Sequence, residues 1–175
     1  MCSAIPTLLY GFIDLSAYVT INLGGNSTMV QALHVFLVCV IAYAAGSIPF
    51  AQVFTSIFAP GKNLKKEGTG NVGTENAWIV AGPVAGLLTG FFDFSKGALI
   101  ITSAHLVLGW SFQEDLIKLL ILSLFVILGH DYPVWLKFRG GLGFACITST
   151  LLYFNFAAWF IGIIILAITL FIRDT

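Results

Sequence analysis

The stretch AWIVAGPVAGLLTGFFDFSKGALIITSAHLVLGW, residues 77–110, decides the fold class of this chain. It is apolar except for Asp93 and Lys96. As a helix it exceeds the ~20 residues needed to cross ~30 Å of hydrocarbon. The two charges are three positions apart, so a helix puts them on one face where they can pair, and pairing makes an ion tolerable at depth. The plain reading is an ion pair turned to a bundle interior or a water-filled cavity. A proton or ion relay is the competing idea, for which a single pair is thin support. His105, like His34 upstream, sits in an apolar run without a matched partner and reads as a satisfied helix residue.

Composition extends this reading to the whole chain. Of 175 residues, 58% are hydrophobic and 9% charged, and mean hydropathy is +0.97; soluble domains carry about a quarter charged residues. The expectation is an all-α, polytopic integral membrane helix bundle of about five to six transmembrane helices. A net charge of zero offers no basic surface for nucleic acid. Cys2, Cys39 and Cys146 have no paired spacing, so packing roles are expected, and no metal site or cofactor is implied. No basic segment precedes the first apolar stretch, so no cleaved signal peptide is read.

Upstream lies a polar island, Gly68-Thr69-Gly70-Asn71-Val72-Gly73-Thr74-Glu75-Asn76, preceded by Lys62, Lys65 and Lys66. Closely spaced glycines let successive backbone N–H groups turn toward one anion, while Thr69, Asn71, Thr74 and Asn76 add donors and the lysines add charge. That is a recipe for holding a phosphate, although a Gly-rich turn between helices also explains it. Before it, residues 29–58 form a span broken at Gly46-Ser47-Ile48-Pro49-Phe50. Pro49 deprives the Ala45 carbonyl of its helical partner, and Ser47 reads as relief for that kink. Residues 5–23 are apolar but carry Asp14, so they either span or lie at the interface. Asn26-Ser27-Thr28 fits a glycosylation sequon.

Downstream, residues 111–115 form a polar turn and residues 116–129 return through the membrane. A second island follows, from His130 through Asp131, Tyr132 and Trp135 to Lys137-Phe138-Arg139-Gly140-Gly141-Leu142-Gly143. Aromatic and basic residues in alternation suit the headgroup level. The glycines after Arg139 open the next apolar run and resemble an anion-binding helix N-terminus. Residues 144–171 read as two short or tilted helices hinged around residues 153–156. Two crossings separate the islands, so both face one side, and the positive-inside rule makes that side the cytoplasm.

Taken together, Ala42-Tyr43, Gly46-Ser47-Ile48-Pro49-Phe50, the Gly68 to Gly73 loop with Asn76, Asp93-Phe94-Ser95-Lys96-Gly97, and Leu128-Gly129-His130 through Gly141 resemble, in order and spacing, the motif blocks of the bacterial acyl-phosphate:glycerol-3-phosphate acyltransferase family. The resemblance covers roughly residues 42–152. It implies an inner-membrane enzyme, multi-pass, that moves a fatty acyl group from acyl phosphate to glycerol 3-phosphate and yields lysophosphatidate. By that resemblance Thr69, Lys65 and Arg139 are candidates for catalysis. Gly68, Gly70, Asn71, Gly73, Asn76, Lys66, Lys137, Gly140, Gly141 and Gly143 are candidates for phosphate binding, with Ser47, Asp93, Lys96 and His130 in support. The expected partners are acyl phosphate, glycerol 3-phosphate and membrane lipid.

Departures bear on turnover. Thr69 stands where the family has serine and keeps the hydroxyl, whereas Glu75 replaces a threonine, Ile79 an arginine and Leu142 a lysine. Residues 1–28 form an extra apolar segment, and residues 29–175 an acyltransferase-like domain expected to lack the family's last two helices. Three readings compete: an acyltransferase in which Lys65, Lys66 or Arg139 supplies the missing charge, a degenerate relative that binds a phosphorylated glycerol or lipid headgroup, and a small permease.

Overall fold

The computed structural model describes residues 27–173; the expectations for residues 5–23 and for the sequon asparagine fall outside them. Every described element is helical. Ser27–Gly46 (α1) and Phe50–Phe58 (α2) are separated by the Pro49 break. There the Ala45 carbonyl takes the Ile48 N–H at 3.3 Å, and the Phe50 N–H turns back to Ile48 O at 3.1 Å. Thr74–Ala81 (α3) precedes Pro83–Leu108 (α4), and Leu116–Asp131 (α5) leads into a 3-10 turn at Val134–Leu136. Phe144–Phe154 (α6) and Phe156–Arg173 (α7) meet at Asn155, inside the hinge expected from sequence.

One expectation is corrected here. Residues 77–110 are not a single run: α3 ends at Ala81, Gly82 adopts φ +90°, and Pro83 starts α4 at its first position. Glycine reaches that backbone region without a Cβ penalty, and proline fits a first helical turn whose N–H has no partner anyway. The short α3 therefore folds against α4, with Trp78 seated over Gly86, where a Cβ would lie 2.9 Å from Trp78 Cα.

The helices pack with small residues inward. Gly129 of α5 lies against the Tyr43 carbonyl of α1 and the amide of Ser47 just beyond it, and a Cβ at Gly97 of α4 would lie 3.0 Å from the Cys146 carbonyl of α6. Close backbone approach through small residues is how helices associate where lipid removes the hydrophobic drive between them. The interior holds Ala42, Ala104, Leu119, Leu122 and Val126, while Phe36, Phe91, Leu106 and Ile117 point outward. Two of the buried hydroxyls satisfy themselves locally: Thr89 donates to Ala85 O at 2.7 Å and Ser123 to Leu119 O at 2.8 Å. Outward large apolar and inward small polar residues are the pattern of a bundle solvated by lipid.

Thr28–Phe58, Pro83–Leu108 and Leu116–Leu136 are long and apolar enough to cross a membrane, while α6 and the first part of α7 are shorter apolar helices. Helices α4 and α5 run out and back, returning the second island to the end of the bundle where the first began. A smaller cluster of Ala51, Leu64, Val72 and Ala77 anchors the first island on that end.

Candidate functional site

The two islands meet. Lys65 Nζ donates to the Leu136 carbonyl at 3.0 Å, and a Cβ on Gly141 would collide with His130 Nε2 and lie 3.0 Å from Val72 O. Between them is a small cleft whose lining includes Ser47, Val72, Asp93, His130, Gly140 and Gly141. Its volume of about 10 Å³ is room for about one water.

Asn76 builds the first island. It is buried, and its Oδ1 accepts the Thr69 N–H at 2.8 Å. Its Nδ2 donates to Leu64 O at 2.8 Å, Asn71 O at 2.8 Å and Glu67 O at 3.2 Å. One side chain thereby stands in for a regular ladder across a stretch that forms none. Asn76 belongs to the frame of the loop: its polar atoms are already engaged and leave nothing to offer a phosphate. Gly68 has φ +59° and Gly70 φ +75°, and a Cβ on Gly68 would run into Asn76 Oδ1. Asn71 uses its own Oδ1 to accept the Val72 N–H at 2.9 Å. Thr69 is exposed, and its hydroxyl accepts the Asn71 N–H at 3.4 Å.

Gly73 caps α3 in an extended conformation, and α3 begins with Thr74 and Glu75. The first amides of a helix lack intrahelical acceptors and carry partial positive charge. Glu75, unwelcome beside a phosphate, is there favourable to the helix itself.

Charge is distributed less evenly than the sequence implies. Lys62 pairs with Glu67 at 2.8 Å, and Glu67 also accepts the Asn63 N–H at 3.1 Å. The hydrogen bond from Lys62, then that from Asn63, holds the Glu67 carboxyl below its ordinary range, while the bond to Glu67 holds the Lys62 ammonium above its own. Lys62 is therefore neutralised, and Glu67 and Asn63 are site-shaping residues that the sequence reading missed; the Lys62/Glu67 spacing was the available signal. Lys66, Lys137 and Arg139 are exposed, and among the described residues their side chains have no partner. Lys65 retains two N–H donors beyond the one given to Leu136.

The second island is made differently, and two expectations change. The Gly140 N–H donates to Asp131 O at 2.9 Å and the Gly141 N–H to His130 O at 3.2 Å. These amides fasten the loop to the end of α5 and are not free for an anion. A Cβ at Gly143 (φ +66°) would lie 2.7 Å from Asp131 Oδ1, so the protein's own carboxylate occupies the N-terminal end of α6. Asp131 was legible only as the neighbour of His130. Lys137 and Phe138 both take left-handed conformations, φ 57° and 59°, which turn their side chains outward.

Beneath the islands, Lys96 pairs with Asp93 at 2.9 Å, and His130 Nδ1 lies 3.5 Å from Asp93 Oδ1. Lys96 also donates to Gly46 O at 2.9 Å and Ile48 O at 3.0 Å. The expected interior ion pair is present, and it does the work assigned to Ser47: the carbonyls at the break are met by Lys96, while the Ser47 hydroxyl is buried without a hydrogen-bond partner. A buried ammonium hydrogen-bonded to two main-chain carbonyls and paired with a carboxylate is a fixed strut, unlike a mobile relay.

The family model described as glycerol-3-phosphate acyltransferase matches residues 36–175. A glycerol-3-phosphate acyltransferase of Zymomonas mobilis is 36% identical over 140 residues, covering 75% of this chain and 61% of the relative. One from Cereibacter sphaeroides (strain ATCC 17025) is 39% identical, covering 75% and 58%. The chain spans about three-fifths of the length of these curated relatives. Its fold is similar to the crystal structure of PlsY, an integral membrane glycerol 3-phosphate acyltransferase in its glycerol 3-phosphate form, with TM-score 0.69 and 31% identity over 79% of this chain and 66% of that one. The lysophosphatidic acid form of the same protein is also similar, with TM-score 0.62, 29% identity, and coverage of 75% and 62%. Together with the apolar helices, this likeness makes the chain an integral membrane protein.

Proposed function

Because the chain belongs to the glycerol-3-phosphate acyltransferase family, we propose that it is a membrane acyltransferase that moves a fatty acyl group from acyl phosphate to glycerol 3-phosphate. The observation that supports this reading is the junction of the islands, Lys65 on Leu136 at 3.0 Å, which brings the segment carrying Lys65 and Lys66 against the segment carrying Lys137 and Arg139. An acyl phosphate is already activated, so the protein must chiefly hold two phosphate-bearing molecules close and stabilise the developing negative charge. The hydroxyl oxygen of glycerol 3-phosphate attacks the acyl carbonyl carbon and an ester bond forms. The acyl carbon–oxygen bond to phosphate breaks, inorganic phosphate leaves, and the hydroxyl proton passes to a substrate phosphate. In this scheme Lys65, Lys66, Lys137 and Arg139 supply positive charge, and Thr69 and the amides opening α3 supply oriented donors. By the positive-inside rule this junction faces the cytoplasm of a bacterial inner membrane.

Ile79 and Leu142 stand where the family resemblance places an arginine and a lysine, and both are exposed, Leu142 by 76%. Losing one preorganised charge donor commonly costs about 3–4 kcal/mol, or a factor of several hundred. This favours slow turnover, and it gives a second reading its support: a relative that binds the phosphorylated glycerol without transferring to it. Incubating the purified protein with palmitoyl phosphate and glycerol 3-phosphate separates them. Lysophosphatidate above a protein-free control supports the enzyme; glycerol 3-phosphate binding without product supports the binder, and neither product nor binding removes both.

A further inference from the structure

We propose that Lys96 is a positioning residue: its buried ammonium fixes one wall of the cleft by capping the proline break between α1 and α2, and it is not a phosphate ligand. An ammonium has three N–H donors. Lys96 gives two of them to Gly46 O at 2.9 Å and Ile48 O at 3.0 Å, and its charge pairs with Asp93 Oδ1 at 2.9 Å. The same nitrogen lies 5.4 Å from the Phe50 ring centroid, which closes its remaining side. Buried and so surrounded, it is shut off from an incoming anion.

What it holds matters because of where the break lies. The Phe50 N–H, which an unbroken helix would give to Gly46 O, is diverted to Ile48 O. A side chain on α4 takes the Gly46 carbonyl that this leaves and shares the Ile48 carbonyl. Ser47, Ile48 and Pro49 line one side of the cleft, and Gly140 and Gly141 line the other. Asp93 joins the two sides, touching Lys96 with one carboxylate oxygen that also faces His130 at 3.5 Å, and the His130 ring abuts Gly141. The chain of contact from the helix break through Lys96, Asp93 and His130 to Gly141 sets the spacing of the walls. A charge used this way tolerates no larger cation, because arginine's planar fork cannot meet two main-chain carbonyls and a carboxylate around one nitrogen in a packed space.

This inference builds on the acyltransferase reading, so the experiment has an arm independent of turnover. Ser47→Cys is introduced into a background lacking Cys2, Cys39 and Cys146, and its labelling rate by a small methanethiosulfonate reagent is measured in the full chain. With Lys96 present the site labels slowly. Lys96→Met and Lys96→Arg are expected to raise the rate at least fivefold. The double variant Asp93→Asn/Lys96→Met, which buries no unpaired charge, keeps the protein monodisperse if the single variants aggregate, and should show the same rise. An unchanged rate in any monodisperse variant overturns the proposal. In the activity arm, positioning predicts that Lys96→Arg loses kcat as fully as Lys96→Met, with KM for glycerol 3-phosphate within threefold of the parent. A Lys96→Arg variant that retains kcat and shifts only KM would make Lys96 a ligand. If the parent shows no turnover, the acyltransferase reading fails while the labelling rates still decide the inference.

Discussion

The two glycine-basic islands have similar composition and opposite construction. In the first, a single buried side chain, Asn76, bonds to residues 64, 67, 69 and 71. In the second, the Gly140 and Gly141 amides bond directly to carbonyls at the end of α5, and two residues accept left-handed backbone conformations to let them. A loop organised by one side chain has one point of failure. A loop organised by its backbone fails only where an added atom cannot fit.

The largest effect should come from Asn76→Ala. It strips the first island of its hub and leaves the Leu64 carbonyl unpaired in a buried place, at an expected cost of about 3 kcal/mol. Thermal unfolding in detergent should show a lower Tm, and limited proteolysis should cut within residues 62–76; an unchanged cleavage pattern would remove Asn76 from its central role. Gly141→Ala tests the second island, since its methyl has nowhere to go between His130 and Val72 O. A loss of about 1–3 kcal/mol is expected from this overpacking, read as a Tm drop without new cleavage in the first island. Lys137→Gly should act in the other direction, raising stability by about 1 kcal/mol through relief of the left-handed backbone. A fall in Tm would mean that the Lys137 side chain holds more than the structure accounts for.

The smallest effect belongs to the exposed Lys62/Glu67 tie. Glu67 is held below the ordinary carboxylate range, so its contribution is fully present above the unfolded carboxyl's pKa and is lost as pH falls through the lowered folded value. Lys62 is held above the ordinary lysine range, so its share is present below the unfolded lysine's pKa and is lost only as pH rises through the raised folded value. The turn at residues 62–67 should therefore stay closed across neutral pH and loosen in acid. The Asn63 amide chemical shift should follow that acid limb, and Glu67→Gln should abolish it.

Much of this was legible early because it depends on local chemistry. Pro49 breaks its helix wherever it sits, and Asp93 and Lys96 share a face by helical pitch alone. A chain this poor in charge must keep its polar residues in a few places. The apolar run at residues 77–110 misled only at Gly82-Pro83, where a turn signal lay inside an uninterrupted hydrophobic stretch and hydropathy could not register a change in direction.

By itself, the sequence determined a lipid-solvated helical bundle with polar islands at one end, since helix pitch, proline geometry and the cost of unpaired charge act on neighbours along the chain. Tertiary structure decided which of those polar groups are spent and which are free. Lys62 is cancelled by Glu67, the Gly140 and Gly141 amides are consumed by α5, Asn76 is enclosed by its own loop, and Lys96 reaches carbonyls about fifty positions away. A donor holds one acceptor at a time, and only the folded chain shows which acceptor arrived first.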